Sequence, residues 1–335
     1  MKTLNTKAIA MLAVASVLGS GTASASLSSF QTFVGKIGYS SDGFGSTTQS
    51  GTISASVPVG STVLAAYLYT STFGSFAGAG GTLAGNAVTY TALGANNAGL
   101  EAGRADVTSI IKPLIDGGLG GTYNFTVSET SGAQDGEALV VVYSNPSLDI
   151  STVGLLDGFS ETTGDSTSIS FASPLDPTAP GFHAEMFIGD GFSFDGSDPN
   201  NPTTTGQVST ITVNGNLLTN VAGHCDDNSD TFCQNGNLIT VGGFNDAFSP
   251  ANPLVGQDHE RYNLASFIKK DDTVINVRTV NPSNDDNIFL AGFYVSGEAS
   301  INNDVPEPMS LSLLAIGLAG LGANTRRRGM IRVTN

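Results

Sequence analysis

The chain has no tryptophan, two cysteines and three histidines in 335 residues, and each shortage narrows what it can do. Tryptophan is the best aromatic platform for stacking a sugar ring, so a sugar-binding surface would have to use tyrosine and phenylalanine. Two cysteines without a second pair nearby are too few for a structural zinc site. No metalloprotease, nucleotide-binding or serine-hydrolase motif is present, and we therefore predict that the protein is not an enzyme.

Positive charge is also scarce. Between Ser26 and Asp304 there are seven Lys and Arg residues against 28 Asp and Glu residues, a net charge of −21. Binding to nucleic acid needs clustered positive charge on one face, so we exclude nucleic acid as a partner. A strongly acidic surface suits solubility outside the cell, or the binding of divalent cations.

The N-terminus has the three parts of a secretory leader. Lys2 and Lys7 precede the apolar stretch 8–18, and Ala23 and Ala25 form a small-x-small cleavage site. We therefore predict that residues 1–25 are a signal peptide and that the exported chain begins at Ser26.

The C-terminus combines two prolines, a short apolar run and an arginine cluster. Pro306 and Pro308 hold Glu307 in an extended peptide, because proline cannot continue a helix. The apolar run 309–323 would reach about 22 Å as a helix, short of a hydrocarbon core of about 30 Å. Three arginines follow and would remain on the cytoplasmic side: Arg326, Arg327 and Arg328. The run therefore predicts a short transmembrane segment that anchors the chain transiently in the inner membrane.

This order of Pro-Glu-Pro, apolar span and arginine cluster resembles the PEP-CTERM sorting tail of exported proteins in Gram-negative bacteria that make extracellular polysaccharide. The resemblance covers residues 302–335 and departs from many such tails in the seven residues that follow Arg328. It implies that an exosortase-type enzyme processes the tail and that the protein reaches the cell surface or the extracellular space. It implies nothing about what the body of the protein does.

The sequence between the two ends predicts an all-β fold, because turns rich in glycine and asparagine separate short segments in which apolar and polar residues alternate. Four segments of the first half recur in the same order in the second half. The pairs begin at Asp42 and Asp157, at Thr82 and Thr212, at Arg104 and Arg261, and at Asp135 and Asp286. We therefore predict two tandem, duplicated antiparallel β-sandwich domains of jelly-roll-like form, at residues 26–149 and 150–301.

Each predicted domain carries a short helical cap. The stretch "DVTSIIKPL" begins with Asp106 as a cap and is expected to end at Pro113, and "NLASFIKK" from Asn263 is expected to repeat it. The first half also resembles β-rich repeat modules of bacterial surface proteins, through "ADVTS", "ALVVVY" and "DGF". That resemblance implies fold and compartment only.

The second copy contains about 27 extra residues between Asn216 and Arg261, and these include Cys225 and Cys233. In an exported chain we expect these cysteines to close a small disulfide loop. Candidate calcium ligands within the loop are Asp226, Asn228 and Asp230, at alternate positions as in the start of an EF-hand. The EF-hand glycine and glutamate positions hold Thr231 and Asn237, so a solvated acidic hairpin is the alternative.

A second acidic stretch, "DGFSFDGSDPNN", offers Asp190, Asp195 and Asp198 as further candidate metal ligands, although Asp-Gly turns form without an ion. Taken together, the sequence predicts a noncatalytic structural or adhesive protein of the cell surface, or of an exopolysaccharide or biofilm matrix. The alternative is a calcium-assisted glycan-binding or glycan-processing protein, because a glycosidase needs only two suitably placed carboxylates. Calcium is the one cofactor that this reading leaves open.

Overall fold

The computed structural model describes residues 26–45, 48–95, 99–160, 162–191, 209–223, 238–254, 257–281 and 287–303. These residues form antiparallel β-strands with a single α-helix, which confirms the predicted all-β class. No helix within these ranges is long and apolar enough to cross a membrane. The predicted signal peptide, both cysteines and the C-terminal tail from residue 304 onward lie outside them.

The first half of the described chain contains nine strands and helix α1 (Thr108–Ile115). The strands are β1 (Ser28–Phe44), β2 (Ser50–Val57), β3 (Thr62–Phe73), β4 (Gly81–Leu83), β5 (Asn86–Val88), β6 (Thr91–Ala95), β7 (Leu100–Asp106), β8 (Gly121–Glu129) and β9 (Gln134–Ser144).

The second half of the described chain contains ten strands and a 3-10 turn at Ala265–Phe267. The strands are β10 (Ile150–Asp157), β11 (Asp165–Phe171), β12 (Ala184–Gly191), β13 (Ser209–Val213), β14 (Asn216–Ala222), β15 (Ile239–Val241), β16 (Arg261–Asn263), β17 (Val274–Val280), β18 (Asn287–Ser296) and β19 (Ala299–Asn303).

The strands form three sheets. The largest has ten strands in the order β15-β12-β18-β10-β1-β9-β3-β7-β6, with β16 also paired to β12. The second has the order β14-β13-β17-β11-β19, and the third has the order β2-β8-β4-β5. Strands of the two halves occupy separate blocks of the largest sheet and do not interleave.

Strand β1 joins these two blocks. Its first part, from Ser28 to Lys36, pairs with β10, whereas its second part, from Ile37 to Phe44, pairs with β9. One strand thus contributes backbone hydrogen bonds to both halves of the molecule. The expected separation into two independent sandwiches is therefore replaced by one continuous sheet.

Three apolar cores lie between the sheets. The first-half block packs on the β2-β8-β4-β5 sheet, and we call this pair the first sandwich. The second-half block packs on the β14-β13-β17-β11-β19 sheet, and we call this pair the second sandwich. A third core packs the outer faces of the two blocks against each other, with Tyr69 and Val140 on one side and Phe187 and Phe289 on the other. The two smaller sheets and the two blocks of the largest sheet therefore stack in four layers.

The two halves share one strand order. The block β1-β9-β3-β7 corresponds to β10-β18-β12-β16, and the sheet β2-β8-β4-β5 corresponds to β14-β13-β17-β11 read in reverse, with β19 added at its edge. Asp42 lies opposite Leu139 on β9 in the first half, and Asp157 lies opposite Leu290 on β18 in the second.

Each half contains a short helical segment at the predicted place, but the boundaries of these segments differ from the prediction. Asp106 Oδ1 accepts a hydrogen bond of 2.9 Å from the Thr108 amide, and Asn263 Oδ1 accepts one of 2.9 Å from Ala265. Helix α1 does not end at Pro113 but continues to Ile115, because Asp116 N still donates to the Lys112 carbonyl. The second cap is a 3-10 turn and not an α-helix.

Candidate functional site

Asp190 is the one predicted metal ligand that falls within the described residues. It lies on β12 opposite Thr240 and Ile288, and its side chain is fully buried. The other predicted ligands and both cysteines lie outside the described ranges: Asp195, Asp198, Asp226, Asn228, Asp230, Cys225 and Cys233. The predicted cleavage and sorting residues lie outside them as well.

Asp190 and a buried acidic network centred on Asp258 both act on Tyr262. The carboxylate of Asp258 accepts hydrogen bonds from Thr219 Oγ1, from Ser249 Oγ at 3.0 Å and from the Glu260 amide at 3.1 Å. Glu260 in turn accepts a hydrogen bond of 3.1 Å from the Gly223 amide. These hydrogen bonds tie β14 to the segment before β16.

The Asp258 network also affects a neighbouring phenol. Burial, followed by the charges of Asp258 and Glu260, raises the pKa of Tyr262 well above its ordinary value. In the part of the chain that the structure describes, no three His, Cys, Asp or Glu side chains are grouped as metal ligands.

A second polar cluster joins β10, β12 and β18 and contains a serine and a histidine in contact. Ser151 Oγ lies 3.2 Å from His183 Nε2, and His183 Nδ1 lies 3.1 Å from Ser296 Oγ. The imidazole stacks on the Tyr294 ring, with centroids 4.1 Å apart. We call these four residues the Ser151 cluster.

The distance between Ser151 and His183 suits a nucleophile and its general base. Burial lowers the pKa of His183, so that the imidazole is neutral at pH 7 and could accept a proton. Ser151, however, has an exposed fraction of 0%, and its hydroxyl also lies 3.3 Å from the Asp149 carbonyl oxygen. A substrate carbonyl cannot reach this oxygen, so the Ser151 cluster serves as a hydrogen-bonded connection between three strands.

The sequence alone does not reveal the Ser151 cluster. Ser151 and His183 are 32 residues apart in the chain, and neither lies in a recognisable motif. Strand pairing brings them together, because β10 and β12 both pair with β18. No local signal could have identified the pair.

A surface groove of about 360 Å³ lies beside the Ser151 cluster. Two aromatic side chains, Phe171 and Phe182, line it together with the carboxylate-bearing residues Asp149, Asp176 and Glu298. Asp176 is held by hydrogen bonds from Thr178 and from Lys270 Nζ at 3.0 Å, which lower its pKa to about 2. The groove therefore offers apolar rings next to hydrogen-bond acceptors.

A third cluster lies where the two blocks of the large sheet face each other. Tyr39 stacks on Phe187 with centroids 4.8 Å apart, and its hydroxyl donates to Glu185 Oε2 at 3.2 Å. Arg261 also pairs with Glu185, at 3.4 Å, and donates to the carbonyls of Phe244 and Asp246. Burial, followed by the charge of Glu185, raises the pKa of Tyr39 far above its ordinary value.

Comparison with known proteins gives no family. No protein-family model, curated protein or solved structure matches the chain. The function must therefore be argued from the residues and geometry described above.

Proposed function

We propose that the protein is a noncatalytic structural or adhesive component of the cell surface or extracellular matrix of a Gram-negative bacterium. The complete burial of Ser151 supports the proposal that the protein is not a catalyst, because a substrate cannot reach the serine that contacts His183. The four-layer stack supports the structural part, because the third core joins both halves into one body. A rigid body that displays its loops and grooves suits adhesion.

The route to the surface is proposed from the two ends of the sequence. The leader 1–25 directs export, and the tail 302–335 holds the chain transiently in the inner membrane until an exosortase-type enzyme processes it. Mass spectrometry of the extracellular protein tests this route. We expect the mature form to lack the arginine cluster, and recovery of a form that retains residues 326–335 would contradict the proposal.

The exopolysaccharide or biofilm matrix is the proposed partner of the exported body. Deleting the gene should reduce matrix cohesion or surface attachment, and the wild-type gene should restore it. The matched control is the triple variant Arg326→Ala, Arg327→Ala and Arg328→Ala, which changes the tail and leaves the folded body intact. If this variant is secreted normally and still supports attachment, the sorting proposal fails while the adhesive proposal stands.

We also propose that the two halves are copies of one β-sandwich unit, with the boundary at the start of β10. The shared strand order supports this, and so do the equivalent hydrogen bonds that Asp106 and Asn263 accept from the amide two residues on. The two hairpin turns at Ala84–Gly85 and Asn214–Gly215 support it as well, because all four residues have positive φ. Expression of residues 150–303 alone tests whether the second copy can fold without the first.

The second candidate function is glycan binding, with or without calcium. The observation that favours it is the groove, which places Phe171 and Phe182 beside Asp149 and Glu298. Sugar rings stack on aromatic faces while carboxylates accept hydrogen bonds from their hydroxyl groups. A glycan array probed with the wild-type chain and with Glu298→Gln, each with and without calcium, tests it. Binding that is identical in both proteins would remove this groove as the site.

A further inference from the structure

The first sandwich contains a fully buried acid that has no hydrogen-bond donor beside it. Glu137 lies on β9 between Phe44 of β1 and Thr70 of β3, and its exposed fraction is 0%. Neither Oε1 nor Oε2 accepts a hydrogen bond. An ionised carboxylate without donors is strongly disfavoured in an apolar interior, so this position favours the neutral acid.

A second acid stands close to it. Glu129 ends β8 and is almost fully buried, and its Oε1 also has no hydrogen-bond partner. The backbone amide of Gly136 donates to the Glu129 carboxylate. A side chain at position 136 would collide with the Phe44 carbonyl, and the φ of +134° there also favours glycine. Gly136 therefore allows β9 to approach β1 closely at this point, while its amide donates to Glu129.

The positive charges on the strands packed around the pair are engaged elsewhere. Arg104 of β7 pairs with Asp157, and Lys36 Nζ of β1 donates to the Pro146 carbonyl. The other titratable groups on these elements are Tyr39 and Asp42 on β1, Tyr67 and Tyr69 on β3, Glu101 and Asp106 on β7, Tyr123 on β8, Asp135 and Tyr143 on β9, and Tyr90 after β5. The remaining neighbours belong to the apolar core of the first sandwich, including Phe44, Val127 and Leu139. A proton is therefore the simplest positive charge that can satisfy the unpartnered oxygens.

We propose that Glu129 and Glu137 form a proton-holding acid pair that keeps the β8–β9 end of the first sandwich closed while Glu137 is protonated, and that loosens this end when both acids ionise. Protonation of Glu137 removes one of the two buried charges, and with it the repulsion between the carboxylates. Loss of that proton leaves two buried carboxylates that repel each other.

The direction of the pH dependence follows from burial. Burial, with a smaller contribution from the charge of Glu129, raises the pKa of Glu137 from 4.5 to about 9. Burial raises the pKa of Glu129 from 4.5 to about 7, and the Gly136 amide partly offsets this. The folded chain then holds protons that the unfolded chain releases between pH 4.5 and 9. Stability from the pair is full at low pH and is lost as the pH rises through this window.

The proposal is tested first on the unmodified full-length chain. Infrared spectroscopy at pH 7 should show the carbonyl stretch of a protonated carboxylic acid that resists exchange with solvent, and this band should fade as the pH approaches 9. The equilibrium constant for unfolding should rise by up to about tenfold per pH unit for each proton released. A spectrum without a protonated acid at pH 7 would overturn the proposal, and no variant is needed to obtain it.

Two variants then test whether Glu137 causes the infrared band and the pH dependence of stability. Glu137→Gln keeps the shape of the side chain and cannot ionise, so it should remove the infrared band of Glu137 and flatten the pH dependence. Asp271→Asn is the matched control, because Asp271 is exposed, and it should behave as wild type. An unchanged pH dependence in Glu137→Gln would refute the proposal. Stabilisation of the wild type by added calcium that Glu137→Gln abolishes would also refute it, in favour of a cation site.

Discussion

The guanidinium of Arg104 on β7 and the carboxylate of Asp157 on β10 form an ion pair that joins the two halves of the chain. Their side chains are 20% and 8% exposed, respectively. The hydroxyl of Tyr69 also donates to Asp157 at 3.4 Å, and the guanidinium lies 3.3 Å from the centroid of the Phe30 ring. Because each half contributes one charge, the interaction energy of this ion pair measures part of what holds the two halves together.

The first prediction concerns this ion pair. Arg104→Ala or Asp157→Ala alone should destabilise the fold by about 3 kcal/mol, because each leaves a largely buried charge without its partner. The double variant should lose less than the sum of the two, as urea unfolding would measure. Lys270→Ala, which breaks the exposed pair with Asp176, is the control and should cause no resolvable change. Additive losses at Arg104 and Asp157 would show that the two residues do not interact.

The second prediction tests the third core. A methyl group at Gly292 on β18 would collide with the Phe187 ring, which stacks on Tyr39. Gly292→Ala should therefore destabilise the fold by about 1–3 kcal/mol and weaken the near-ultraviolet circular dichroism of the stacked rings. Adding Phe187→Leu should relieve part of the loss, with Phe187→Leu alone as the control. If the losses simply add, the collision is not the cause.

The third prediction concerns His183. Burial lowers its pKa from 6.5, so the folded chain resists protonation that the unfolded chain accepts. Stability from this group is therefore present above pH 6.5 and is lost as the pH falls below it, by at most about 1.4 kcal/mol per pH unit. His183→Gln should reduce this acid-side slope in urea unfolding, whereas the control His259→Gln should retain it. Equal slopes in all three proteins would contradict the assignment.

The fourth prediction concerns Ser151 and separates a connecting role from a catalytic one. Ser151→Ala should destabilise the fold by about 1 kcal/mol, because it removes a buried hydrogen bond to His183. Assays with activated ester substrates should show no hydrolysis by the wild type or by the variant. Hydrolysis that Ser151→Ala abolishes, in a variant that remains folded, would require an opening of the cluster and would refute the noncatalytic proposal.

The fifth prediction follows from the sequence of the Cys225–Cys233 segment. If the disulfide gathers the neighbouring acidic residues, calcium should raise the melting temperature of the oxidised protein and should do so less in Cys225→Ser. The bond itself closes a short loop and should contribute roughly 2–3 kcal/mol. Isothermal titration that detects no calcium uptake at millimolar concentration would leave the segment as a solvated acidic hairpin.

Local chemistry made several features predictable from the sequence alone. The repeated Ala84–Gly85 and Asn214–Gly215 dipeptides have φ values of 49° and 76°, and of 48° and 77°, as two-residue hairpin turns require. Asp106 and Asn263 precede the N-cap residues Val107 and Leu264, so the predicted side-chain cap is wrong, but each accepts a hydrogen bond from the amide two residues on because its short side-chain oxygen reaches that far. Alternating apolar residues likewise determined the strands. These features depend on residues that are neighbours in the chain.

Contacts between distant residues were decided only by the tertiary structure. The sequence of β1 carries no signal that it changes partner between Lys36 and Ile37, since either part can pair with any suitable edge. The sequence likewise gives no sign that the faces of the two blocks pack against each other in a third core. Ser151 and His183 meet because β10 and β12 both pair with β18, whereas Glu129 and Glu137 belong to two different sheets that pack on each other. Local pattern fixes which residues form strands, whereas the layer that a strand face packs against depends on the whole chain.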